Sequence, residues 1–188
     1  MTIRSARPDD ADFIARTILS SQRGYRPRGW FDVALGWPDA QCRDFIARIA
    51  TAGAVSMWHV SQFLVAEIDS KPAAASCAVP AAGTGPAAWR AIEEVAAAIG
   101  LAPSELHAIR QRGAYTRACW VQGGEGDWMI EHVSTDPAYR ASSAGGPPAC
   151  RCGVLVAVFP RRGRNRTSQC RWSGFGSMKG FSPRASPV

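Results

Sequence analysis

The chain has 188 residues, 46% apolar and 20% charged, with a formal net charge of +7. That length suits one domain with a real core and is short for two. No run of 18 apolar residues occurs, so a membrane-spanning helix is excluded from the reading. The opening MTIRSARPDDADF has none of the apolar stretch of a secretory leader, which makes a cytoplasmic location the expectation.

The charge is divided unevenly. Residues 1–140 hold 14 Lys/Arg against 15 Asp/Glu, while residues 141–188 hold 8 Lys/Arg and no acid. Six cysteines are scattered, and only Cys150 and Cys152 stand close; no second pair gives zinc-ligand spacing, so no metal is expected. Reduced thiols fit this pattern better than a disulfide framework.

In chain order, TIRSAR reads as a short strand. The segment PDDADFIARTILSSQ reads as a helix, with Ala11, Ile14, Ala15 and Ile18 at helical spacing and acids in its first turn. RGYRPRGWFDVALGW reads as an irregular aromatic connection, and PDAQCRDFIARIA returns to helical period through Cys42, Phe45, Ile46 and Ile49. FLVAEI and PAAASCAV form a hairpin around the turn DSK. Two helices follow, GTGPAAWRAIEEVAAAIGL and PSELHAIRQRG, the second with Pro103 in its first turn and Gly113 at its end. AYTRACWV reads as a strand, QGGEGD as a turn, and WMIEHVST as a strand antiparallel to AYTRACWV. The order β-α-α-β-β-α-α-β-β is an α/β (α+β) plan with a mixed sheet.

IRSARPDDADFIARTIL, FLVAEIDSKPAAASCA and DWMIEHVSTDPAYR, in this order and spacing, resemble the GCN5-related N-acetyltransferase (GNAT) superfamily. With PRGWFDVAL and QRGAYTRAC they are similar to a bacterial subgroup of unassigned members. The resemblance covers residues 1–140 and implies an acyl-CoA N-acyltransferase fold using acetyl-CoA as co-substrate. The implied reaction moves acetyl to an amine of a small molecule or peptide.

It also implies roles. Glu131 is the candidate base for the acceptor ammonium. Backbone at Val133, Ser134 and Thr135 would polarise the thioester carbonyl. Tyr139 and Arg140 match the family's Y-R words, and Arg140 and Gly145 are the candidates to meet the coenzyme's phosphates. His132 is expected to point away from Glu131 by strand alternation and to pack or face a helix. Trp30, Phe31, Trp37 and Trp58 are read as core residues or as the lining of an acceptor pocket, and Tyr25 and Tyr115 likewise. His59 and His107 receive no role.

The family pattern departs after Arg140. It asks for glycine-rich backbone at a helix N-terminus, where N–H groups cradle a pyrophosphate. Here the sequence runs Ala141-Ser142-Ser143-Ala144-Gly145-Gly146-Pro147-Pro148, with prolines that carry no N–H donors. The tyrosine that commonly protonates the leaving thiolate would follow the fifth strand, and no tyrosine follows Tyr139. Residues 141–188 therefore read as a basic, irregular tail that leaves the domain incomplete. An out-of-frame reading of GC-rich DNA gives such a composition, and shifting the codons of WSGFGSMKG by one frame allows GFRLDE, a GNAT-like word. The alternatives are a non-catalytic remnant and nucleic-acid binding through RRGRNR (Arg161 to Arg166), the latter unsupported by aromatic interleaving.

Overall fold

The computed structural model describes residues 1–119, 126–140 and 157–159. Ten regular elements run in chain order: β1 (Thr2–Ser5), α1 (Ala11–Arg23), α2 (Trp30–Leu35), α3 (Asp39–Ile49), β2 (Phe63–Ile68), β3 (Lys71–Pro80), α4 (Thr84–Ala98), α5 (Pro103–Gly113), β4 (Trp128–Thr135) and β5 (Ala157–Phe159). The strands form one sheet in the order β1-β2-β3-β4-β5, and every described pairing is antiparallel, so no parallel strand enters the sheet among the described residues.

The N-terminal strand and first helix are joined by charge. Arg4 on β1 donates to both oxygens of Asp10 at 2.7 and 2.9 Å and to Glu67 Oε1 on β2 at 2.8 Å. The Arg4 bonds, opposed by burial and helped by the Arg7 N–H, hold the Asp10 carboxyl below its usual range. The same Arg7 N–H to Asp10 bond, at 2.7 Å, satisfies a donor at the start of the helical segment. Ile14, Ala15 and Ile18 then bury the inner stripe of α1, as their spacing predicts.

The β2–β3 hairpin turns on two residues, Asp69 and Ser70, at φ of 50° and 61°. Two left-handed residues suit the right-handed twist of the strands. Lys71, read as part of the turn, already belongs to β3 and pairs with Ile68. Along β3, Ala73, Ala75, Cys77 and Val79 alternate inward, which makes one face of the sheet apolar and thin-walled.

Two assignments from the sequence change. The aromatic connection contains α2, because WFDVAL places Phe31, Ala34 and Leu35 inward while Asp32 accepts the Gly29 N–H at 2.7 Å. AYTRACWV is not a strand where it is described: Ala114–Cys119 continues α5 as a 3-10 turn. The Gly113 carbonyl there accepts from the Trp30 indole at 2.9 Å and the Thr116 hydroxyl at 3.3 Å, which keeps the chain coiled. Strand β4 consequently pairs with β3 and β5. Trp120, Val121 and most of QGGEGD lie outside the described residues.

The aromatics of the first connection are core. Phe31 and Trp58 are buried with ring centroids 4.8 Å apart, Trp30 stacks on Trp58 at 5.9 Å, and Trp37 meets Phe45 edge-on at 5.3 Å. Tyr25 and Tyr115 are exposed, and so contribute nothing to the core. From the tail, read as irregular, Ala157–Phe159 pairs with Trp128–Ile130 as an edge strand. Gly145 and RRGRNR lie outside the described residues.

Candidate functional site

The centre of the site is a β-bulge in β4. Ala75 pairs with Ser134 and Cys77 with Glu131, two steps on β3 against three on β4. His132 absorbs the extra residue at φ 53°, a left-handed conformation uncommon for a side chain larger than glycine. The bulge interrupts the alternation that would separate neighbours. His132 Nε2 lies 3.4 Å from Glu131 Oε2, so the histidine faces its neighbour and does not point away from it. Period-2 reasoning fails here because a bulge carries no reliable sequence mark.

Both side chains are withdrawn from water. The Glu131 side chain keeps 15% of its accessible surface, and His132 keeps 5%. Burial raises the Glu131 carboxyl to about 7 and lowers the His132 imidazole to about 4, since each loses hydration of its charged form. The His132 ring stacks on Phe63 of β2 at 6.3 Å between centroids, and its Nδ1 meets Ser21 Oγ of α1 at 3.2 Å. Cys77 faces Glu131 across the ladder; its buried thiol, pushed well above the ordinary range, donates to the Met57 carbonyl at 3.2 Å. A neutral thiol there acts as a small apolar wall.

One residue behind this pair, an open cleft of about 420 Å³ runs between α1 and the end of β4. Ser20, Ser134, Thr135 and Arg140 line it, together with Arg16, Arg23, Arg26 and Arg43. Ser134 Oγ donates to Ser20 Oγ at 3.0 Å, and Arg140 is braced by the Thr135 carbonyl at 2.9 Å. Asp136 then caps a short 3-10 turn, Pro137–Tyr139, by accepting the Ala138 N–H at 2.9 Å. Arg16 and Arg43 pair with Asp12, and Arg23 with Asp32 and Asp39. Among the described residues, Arg26 and Arg140 have no carboxylate partner, so the cleft keeps cationic groups free for an anion.

The candidates from the sequence divide accordingly. Ser134, Thr135 and Arg140 meet in the cleft; Val133 and Tyr139 are near in sequence but do not line it. Glu131 does not line the cleft; its neighbour His132 meets Ser21 of α1, next to Ser20, which accepts from Ser134 in the cleft. The sequence gives no mark of Ser20, Arg23 and Arg26 beyond their place on the more polar side of an amphipathic helix and just past its end, and none of Ser21, a small polar residue buried on that helix's inner face. Among the described residues, no three His, Cys, Asp or Glu side chains converge on a metal-sized site. No described helix is long and apolar enough to cross a membrane.

No protein-family model matches the chain, and no curated protein matches it. Solved structures do. An N-acetyltransferase from Staphylococcus aureus Mu50 aligns over 76% of this chain and 69% of its own, at 22% identity and a TM-score of 0.52. A second, described as an acetyltransferase, aligns over 54% of this chain at 24% identity and a TM-score of 0.44; the chain spans about half of that structure's length. The fold is thus a GNAT-like N-acetyltransferase fold, a mixture of helices with an antiparallel sheet.

Proposed function

We propose that this chain is an acetyl-CoA-dependent N-acetyltransferase acting on an amine of a small molecule or peptide, with Glu131 as its base. The observation that carries the reading is the placement of Glu131. It is a buried carboxyl at a β4 bulge, raised to about 7, on the same strand as Ser134 and Thr135, which line a cleft whose Arg26 and Arg140 have no carboxylate partner among the described residues. A base is most effective when its affinity for protons matches the working pH, and burial supplies that match here.

The donor set of the cleft fits a phosphate-bearing co-substrate. Arg140 and Arg26 offer planar N–H forks, and the Ser20 hydroxyl adds a neutral donor. Bound acetyl-CoA would supply the activated acetyl thioester. Arg140, fixed by the Thr135 carbonyl, orients the phosphates without a large ordering cost. The backbone of Val133 to Thr135, leaving the bulge, is the candidate donor to the thioester oxygen. Glu131 takes the proton from the acceptor ammonium and leaves the nitrogen lone pair free. No tyrosine follows Tyr139, so no side-chain acid is assigned to the departing thiolate.

The test is release of free thiol from acetyl-CoA across a panel of primary amines. The wild-type chain should turn over at least one of them. Glu131→Gln should lower kcat by about 10²–10⁴ and leave acetyl-CoA binding intact. Equal activity of the two proteins would remove Glu131 from the reaction.

A further inference from the structure

Three contacts fix the protons around His132. Ser21 Oγ donates to the Ile18 carbonyl at 2.9 Å, which uses its only hydrogen. Its oxygen then accepts from His132 Nδ1 at 3.2 Å, so the ring hydrogen belongs on Nδ1. The opposite nitrogen, Nε2, is buried without a hydrogen-bond partner among the described residues and lies 3.4 Å from Glu131 Oε2. With the carboxylate ionised, two lone pairs face each other in a poorly solvated place. One proton between them removes that repulsion and satisfies the orphaned nitrogen.

We propose that Glu131 and His132 form a single proton-accepting unit that takes one proton at the Oε2–Nε2 contact, with Ser21 locking the tautomer and His132 serving as a positioning residue for Glu131. This rests on the reading of Glu131 as the base. In the transfer, the acceptor N–H bond breaks and the Glu131 O–H bond forms. The new O–H donates to Nε2, and the amine keeps the electron pair. The proton affinity belongs to the pair and not to either member.

Among the described residues, the surroundings leave the pair otherwise uncharged. From β3, the titratable group facing it is the Cys77 thiol, held neutral by burial. From β2 it meets the Phe63 ring and from α1 the Ser21 hydroxyl. The charged groups of α1 are engaged elsewhere: Arg16 with Asp12, and Arg23 with Asp32 and Asp39.

The test needs no co-substrate. The full chain, labelled with ¹⁵N-histidine and ¹³C-glutamate, is titrated by NMR. At pH 8 the expected His132 ring carries its hydrogen on Nδ1, and on acidification the Nε2 and Glu131 carboxyl signals move at one shared midpoint. Ser21→Ala frees the tautomer, so the ring can donate through Nε2 to the carboxylate, and the shared midpoint falls by one pH unit or more. His132→Asn, which tolerates the left-handed backbone, should also lower the Glu131 midpoint. A wild-type hydrogen on Nε2, separate midpoints for the two groups, or an unmoved midpoint in folded Ser21→Ala would each overturn the proposal. If the variants fail to fold, the wild-type tautomer decides alone. A coupled titration in a chain that ignores acetyl-CoA keeps the proton pair and removes only the acetyltransferase reading. The converse result removes only the pair.

Discussion

The Trp30 indole N–H donates to the Gly113 carbonyl at 2.9 Å, joining residues 83 positions apart, and the ring occupies the space that a side chain at Gly113 would need. A Cβ on Gly113 would lie 2.7 Å from Trp30 Cζ2, closer than real contacts allow. Trp30 is held in turn by Phe31, Trp58 and Trp89 and has little room to retreat. Gly113→Ala should therefore cost about 1–3 kcal/mol in chemical denaturation, from overpacking alone.

The hairpin offers the opposite effect. Ser70 sits at φ 61°, where a side chain costs about 1 kcal/mol relative to glycine. Ser70→Gly should raise stability by a similar amount, read as a higher urea midpoint with an unchanged slope.

Glu131 and His132 make opposite contributions to stability as pH changes. In Glu131→Gln only His132 remains, with a folded value of about 4 against 6.5 unfolded. The unfolded chain then binds a proton that the folded chain refuses, so stability relative to wild type falls on acidification from pH 6.5 towards 4. In His132→Asn only Glu131 remains, raised from 4.5. The folded chain now holds the extra proton, and relative stability falls as pH rises above 4.5, until the folded carboxyl ionises. Each slope is about 1.4 kcal/mol per pH unit. In the wild type the two slopes offset, so this pair leaves stability nearly level between pH 4.5 and 6.5. Denaturation of the three proteins across that range checks the signs.

Much of the framework was legible in the sequence because it follows from periodicity. The inner stripe of α1, the hairpin of β2 and β3, and Cys42, Phe45, Ile46 and Ile49 on α3 all obey simple repeats. Helix α2 was illegible because six residues between Gly29 and Gly36 are too short for a period to register. The Ala114–Cys119 segment departs from its β-propensity where the Gly113 carbonyl takes one long-range bond from Trp30 and one local bond from Thr116. In the site, Ser134 and Thr135 at the end of β4 and Arg140 just beyond it are singled out by the resemblance, and all three line the cleft. The relation of Glu131 to His132 was not legible, since it depends on one added residue in β4 and on Ser21, 111 positions away.

If the cleft holds a phosphorylated co-substrate, Arg140 should matter for affinity and little for the chemical step. Arg140→Ala should weaken acetyl-CoA binding roughly tenfold, about 1.4 kcal/mol, with a shallower salt dependence than wild type. Calorimetry at two ionic strengths reads both effects.

Calorimetric titration of the full chain with acetyl-CoA tests the central claim most directly. The account predicts saturable binding at one site with a dissociation constant on the order of micromolar to tens of micromolar, weakened by Arg140→Ala. Absence of binding at millimolar acetyl-CoA, in a chain shown to be folded, would contradict it.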